Sequence, residues 1–212
     1  MAALKALGAR SVPVVSKGDR FVFAQVIKDV VDFLGLKEET GPVLSPAELA
    51  ERYQDILGRA VSLVAQMPDD CLSRELPNRP RSWLVLLHHV FQIPHAFIDA
   101  QDSGTVMTYE TMVGPPPADM LRSADIAAFG ESTRARFDAW WDAHKDADFD
   151  QQIEVYFGMT SLHEMLERTV WHSTQHARQV ASLLEQAGVT PAQPLSAAHI
   201  EGLPLTEKIW DE

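Results

Sequence analysis

From residue 45 to residue 188 the apolar side chains recur every three or four positions in four long segments, and a chain with that period hides them only by packing helix against helix. The first segment opens with Ser45-Pro46-Ala47-Glu48, which supplies an N-cap hydroxyl, a proline at the first helical position and a glutamate placed to close a capping box. Leu49, Tyr53, Ile56, Leu57, Ala60, Val64 and Met67 then share one face. Ser82 opens the second segment, which is strongly apolar from Trp83 to about residue 100; Pro94 inside it is expected to kink or restart the helix. Ser123 opens the third, with Ile126, Phe129, Thr133, Phe137, Trp140, Trp141 and His144 along one side. Ser161-Leu162-His163-Glu164 is a second capping box and starts the fourth, which runs to Gly188. Residues 103–122, with Gly104, Gly114 and three consecutive prolines, form a long connection. The expected fold class is mostly α, an antiparallel four-helix bundle over 45–188 in up-down-up-down order with one long crossover. No strand pattern is visible between the four helices, and residues 189–212 read as an irregular tail that packs through Trp210.

Residues 1–38 are patterned differently. A short helix, a strand at 11–15, a turn at Lys17-Gly18-Asp19, a strand at 20–23 and a helix at 26–34 closed by Gly35 make a small ββα appendage. Units under ~40 residues seldom bury enough surface to stand alone. This piece is therefore expected to dock onto the bundle or onto a second copy of the chain, which makes a homodimer the expected assembly.

Lys and Arg total 18 against 30 Asp and Glu, a net charge of −12. Nucleic-acid backbones and anionic membrane surfaces recruit Lys and Arg, so neither is an expected partner. No run approaches the ~18 uninterrupted apolar residues of a membrane span. One cysteine, Cys71, cannot form an intramolecular disulfide, a CxxC pair or a cysteine-rich zinc site, and a reducing cytoplasm is the expected setting.

The eight histidines carry the chemistry. His172 and His176 are four apart, one turn above each other, so both imidazoles can reach one ion. Met165, Thr169, His172, His176, Val180 and Leu183 share a stripe, which turns both histidines inward. His89 lies in the stripe Ser82, Val85, Leu86, His89, Ile93 and Phe97 of the second helix, at comparable depth. Three inward imidazoles on two helices make an open set of three nitrogens, the arrangement of a catalytic rather than a structural metal. Periodicity leaves His88 open as the first ligand, with His95 on its face; His89 is preferred because His88 and His95 are about 10 Å apart along the axis. The same pattern also admits buried histidines hydrogen-bonded in a metal-free core.

The stretch Ser82-Trp83-Leu84-Val85-Leu86-Leu87-His88-His89 resembles the serine-to-histidine stretch on the second helix of the DinB/YfiT superfamily of metal-binding four-helix bundles. His172-x-x-x-His176-Ala177-Arg178-Gln179-Val180, continuing to Gly188, is similar to that superfamily's last bundle helix. The resemblance covers about residues 45–188 and implies a metal set at His89, His172 and His176; the doubled histidine is a departure from the pattern. It also implies thiol-dependent S-transfer, isomerisation or hydrolysis of a small molecule, and no DNA chemistry. Separately, Leu7-Gly8-Ala9-Arg10-Ser11-Val12-Pro13-Val14-Val15, Gly18-Asp19 and Phe21-Val22-Phe23 resemble the closing strand-strand-helix of a glutaredoxin. That likeness makes Pro13 the match to a proline whose neighbouring backbone binds glutathione. The sequence has no CxxC, and Ala24 stands where that family has glycine, so disulfide chemistry is not expected.

Other features read as structural. Phe137, Trp140 and Trp141 are core residues, Cys71 beside Asp69 and Asp70 is a poor nucleophile, and His144, His163 and His199 are solvated. Glu164 and Glu167 are candidates to orient ligands from behind. The expected function is a divalent-metal-dependent enzyme, with zinc the default and nickel, iron, copper or manganese admitted. It would transfer a glutathione-type thiol to a small electrophile or hydrolyse that electrophile. The alternative is a non-catalytic, dimeric metal-binding module of stress-response type.

Overall fold

The computed structural model describes residues 8, 14–24, 26–37, 40–76 and 79–210. They fall into two compact units, one within residues 1–42 and the other within 43–212. In the first, β1 (Val14–Lys17) and β2 (Arg20–Phe23) form an antiparallel hairpin with Val15 opposite Val22. Helix α1 (Ile27–Leu34) follows and ends at Gly35, whose φ of 70° is the left-handed conformation expected there. Arg20 lies over the ring of Phe33. Pro13 is outside the described residues.

The second unit contains the bundle. Helix α2 (Pro46–Ala65) has the expected capping box, with Ser45 Oγ accepting from the Glu48 N–H and the Glu48 carboxylate accepting from the Ser45 N–H. A 3₁₀ turn (Asp69–Cys71) and the hairpin β3 (Glu75–Leu76) and β4 (Arg79–Ser82) lead into α3 (Trp83–Ser103). The long connection carries a short helix, α4 (Tyr109–Val113), before α5 (Ser123–His144). A second hairpin, β5 (Gln152–Val155) and β6 (Gly158–Ser161), precedes α6 (Leu162–Gln186), whose own capping box pairs Ser161 with Glu164. A last turn, α7 (Ala197–Ile200), lies in the C-terminal segment. Neither bundle hairpin is visible in the sequence pattern, because their strands are at most four residues long, too short to show a period of two.

Around the bundle the helices run in the order α2, α5, α3, α6, each packed on the next and α6 closing on α2. Tyr53 meets Phe137 and Asp69 meets Ser123, so α2 and α5 are antiparallel. His88 meets Phe129 and Phe97 meets Trp140, so α3 and α5 are parallel. His163 bonds Leu44 and Tyr53 meets Ser173, which makes α2 and α6 parallel. The path is therefore up-down-down-up rather than the expected up-down-up-down. The hairpin-bearing links cross the bundle ends diagonally, and the long connection returns the chain to the end where α3 began.

The core runs the length of the four helices and includes Tyr53, Phe91, Phe97 and Phe137, all buried. Fully burying a large apolar side chain contributes roughly 1.5–3 kcal/mol. Gly130 of α5 sits directly against the Phe91 ring: a Cβ there would be 2.6 Å from the nearest ring atom. Absence of a side chain at that position lets α3 and α5 approach.

Helix α3 neither stops nor restarts at Pro94. A proline has no N–H to give the carbonyl four residues back, which here belongs to Val90. Ser173 Oγ of α6 donates to that oxygen at 3.0 Å, and the Tyr53 hydroxyl of α2 bonds Ser173 Oγ at 2.8 Å. A hydroxyl from another helix thus supplies the hydrogen bond that proline removed. It also ties the neighbour of His89 to the neighbour of His172, fixing how α3 and α6 register.

Candidate metal centre

That register brings the predicted histidines together. His89 of α3 and His172 and His176 of α6 each offer a ring nitrogen, and the three nitrogens lie within 4.8 Å of one another. Their ring centroids are 4.8–5.5 Å apart. His89 and His176 are buried, and His172 keeps a partly exposed edge. Zinc binds imidazole nitrogen at 2.0–2.1 Å, so donors around one tetrahedral ion are about 3.4 Å apart, a modest side-chain rotation from the arrangement seen.

The surroundings favour the uncharged rings that a metal needs. Burial, with the neighbouring His176 and then Arg81, holds the His89 pKa far below its ordinary value. Burial, followed by His176, His89, Arg168 and Arg81, does the same for His172. Two of the rings also have a partner outside the cluster: His89 hydrogen-bonds the Met112 backbone in the long connection, and His176 Nδ1 lies 2.7 Å from Gln179 Oε1. Fixing the outer nitrogen of a ligand histidine sets the tautomer and aims the other nitrogen inward.

Arg168, one turn before His172 on α6, is half-buried at the same end. Its guanidinium lies 4.6 Å from the Phe157 ring centroid and 5.7 Å from that of Trp171, and it donates to the Tyr156 hydroxyl. Trp171 in turn stacks on His172. The β5–β6 hairpin thus supplies an aromatic wall beside the cluster.

The remaining histidines lie elsewhere. His88 faces α5, stacked on Phe129, where burial and nearby His95 lower its pKa to about 4. His95 pairs with Asp99 and contacts Arg136. His144, His163 and His199, expected to be solvated, are hydrogen-bonded instead: His144 to the Trp140 carbonyl, His163 to the Leu44 carbonyl, and His199 to both Ser196 and Asp55. Glu164 closes its capping box and Glu167 bonds the Val43 backbone, so neither stands behind a cluster histidine. Cys71 is buried, and burial raises its thiol pKa, with Asp70 adding to the rise. Sequence reasoning misses Gln179, Met112, Arg81 and Arg168. Gln179 was findable, since it is three residues beyond His176 on the same helix face.

The fold and site define a four-helix bundle with three facing imidazoles that could hold a metal ion. The DinB family model matches residues 42–199, most of the sequence, and the chain belongs to that family. No curated protein matches it. Among solved structures, the 2.30 Å crystal structure of a DinB-like protein, YjoA, from Bacillus subtilis is similar in fold, with a TM-score of 0.54 at 12% identity. The match covers 68% of this chain and 94% of that one. Among the described residues no helix is long and apolar enough to cross a membrane.

Proposed function

We propose that this chain is a divalent-metal-dependent enzyme acting on a small-molecule electrophile, with His89, His172 and His176 holding the ion. The observation that carries the reading is the convergence of the three imidazoles, two of them hydrogen-bonded to a partner outside the cluster. Three protein donors leave positions open, where a divalent ion lowers the pKa of a thiol or water and so makes a nucleophile near neutral pH. Zinc is the default, and nickel, iron, copper or manganese suit the same donors.

The reactant we propose is a glutathione-type thiol. Its sulfur would bond to the electrophilic carbon while the leaving group departs with the bonding pair and the thiol proton passes to solvent. Hydrolysis of the same electrophiles is the nearest variant. Because Cys71 is buried, the thiol is borrowed from a small molecule, and its supply is consistent with a reducing cytoplasm.

Incubating metal-loaded protein with glutathione and a panel of electrophiles, following thiol loss, tests the reading. A rate abolished by His176→Ala is expected; no rate above that control, across several metals, would refute catalysis. A second reading, a dimeric metal-binding module, draws support from Phe23, Ile27 and Leu36, which are exposed in the small N-terminal unit. Sedimentation should then show a dimer without thiol turnover.

A further inference from the structure

Residues 206–210 lie against the helix that carries two of the three cluster histidines, and beside the packing of Trp210 they make a set of polar contacts. Arg178 donates to the carbonyls of Thr206 and Glu207 at 2.8 and 2.9 Å, and Gln175 donates to that of Ile209 at 2.8 Å. Trp210 Nε1 donates to Ser182 Oγ at 3.2 Å. Among these bonds one reaches the site. Gln179 Nε2 donates to the Ile209 carbonyl at 3.0 Å, and Gln179 Oε1 faces His176 Nδ1 at 2.7 Å.

The chemistry of the partners orders this chain of bonds. A backbone carbonyl can only accept, so the amide nitrogen of Gln179 must face Ile209 and its oxygen must face His176. An amide oxygen can only accept in turn, so His176 Nδ1 must carry the proton. Nε2 is then the nitrogen with a lone pair, and a neutral ring in that tautomer is what a metal requires. Among the described residues, Ile209 is what selects this orientation of the amide. A flipped Gln179 would offer an N–H to Nδ1, which favours the opposite tautomer and places a proton on Nε2.

We infer that Gln179 is a positioning residue for His176, and that the segment 206–210 is a strap whose docking on α6 sets the ligand tautomer. The inference rests on the metal reading above and adds a regulatory property to it: release of the strap weakens the ion's hold without touching a ligand.

Full-chain variants and the metal alone test this. Zinc affinity is measured by competition with a chromophoric chelator, cobalt absorption spectra report ligand geometry, and the melting temperature of each metal-free protein reports folding. Gln179→Ala should weaken zinc roughly 10–100-fold. Gln179→Glu still accepts from Nδ1 but no longer donates to Ile209, and should bind within a few-fold of the unaltered chain. Arg178→Ala, which touches no histidine, should weaken binding when made alone and have no effect when added to Gln179→Glu. Equal affinity for Gln179→Ala and the unaltered chain would overturn the inference, as would an equal effect of Arg178→Ala with and without Gln179→Glu. A purely structural role would lower melting temperatures and leave affinity alone, which also overturns it. Failure of the unaltered chain to bind any metal would instead overturn the proposed function, so the two failures are distinguishable.

Discussion

Replacing Ser173 by alanine removes one oxygen atom and orphans two buried groups. The Val90 carbonyl has no donor from Pro94 and depends on Ser173, and the Tyr53 hydroxyl loses its partner. Tyr53 and Ser173 are both fully buried, so water cannot substitute without entering the core. Each orphaned group costs ~1–3 kcal/mol, which places Ser173→Ala at about 3 kcal/mol after partial relaxation. In a bundle of this size that lowers the melting temperature by roughly 6–12 °C. The diagnostic is the companion change. Pro94→Ala restores an N–H four residues after Val90, so the carbonyl again has a donor along its own helix. Ser173→Ala should therefore cost about 1–2 kcal/mol less in a Pro94→Ala background than in the unaltered chain. Urea unfolding of the four proteins of this cycle, followed by circular dichroism, gives the coupling. A loss below about 0.5 kcal/mol for Ser173→Ala, or one that is the same in both backgrounds, would refute the replacement of a proline-deleted hydrogen bond across helices.

Gly130→Ala gains ~1 kcal/mol of helix propensity but drives a methyl group into the buried Phe91 ring, where overpacking costs ~1–3 kcal/mol. A lower melting temperature is expected, partly restored by Phe91→Leu; a rise would show that α3 and α5 separate freely. Glu167 has its pKa raised to about 7, by burial first and then by Glu164. Its stability contribution is full below the ordinary carboxylate pKa and is lost as pH rises through about 7. Because the group is only half-buried, the loss is on the order of 1–2 kcal/mol. Glu167→Gln should remove that part of the pH dependence and make the chain more stable than the unaltered one at pH 8; identical stability–pH curves would refute it.

What is legible in the sequence is what neighbouring residues decide. Ser45 with Glu48 and Ser161 with Glu164 are capping boxes closed within four residues, so their chemistry is complete in a short window. His172 and His176 share a face because helix geometry places them there, and the inward stripe around His89 is visible for the same reason. The chain path is not legible, because it depends on which helices pack. The two bundle hairpins redirect the chain diagonally, and nothing in the period of the apolar stripes encodes that. Pro94 reads as a break because its compensating donor, Ser173, is 83 residues away from the carbonyl it serves. The outer partners of the cluster share this character: Gln179 is adjacent on the helix, but what orients it is a carbonyl 30 residues further on. His163 and His199 read as solvated for the same reason, since their partners Leu44 and Asp55 are far along the chain.

The claim on which the functional reading depends is that three particular imidazoles hold one divalent ion. Elemental analysis of the purified chain after dialysis against a trace of each candidate metal, repeated for His89→Ala, His172→Ala, His176→Ala and His88→Ala, tests it directly. About one ion per chain should be retained by the unaltered protein and by His88→Ala, and lost when any of the other three is changed. Equal metal content in all five proteins, whether near zero or near one, would contradict it.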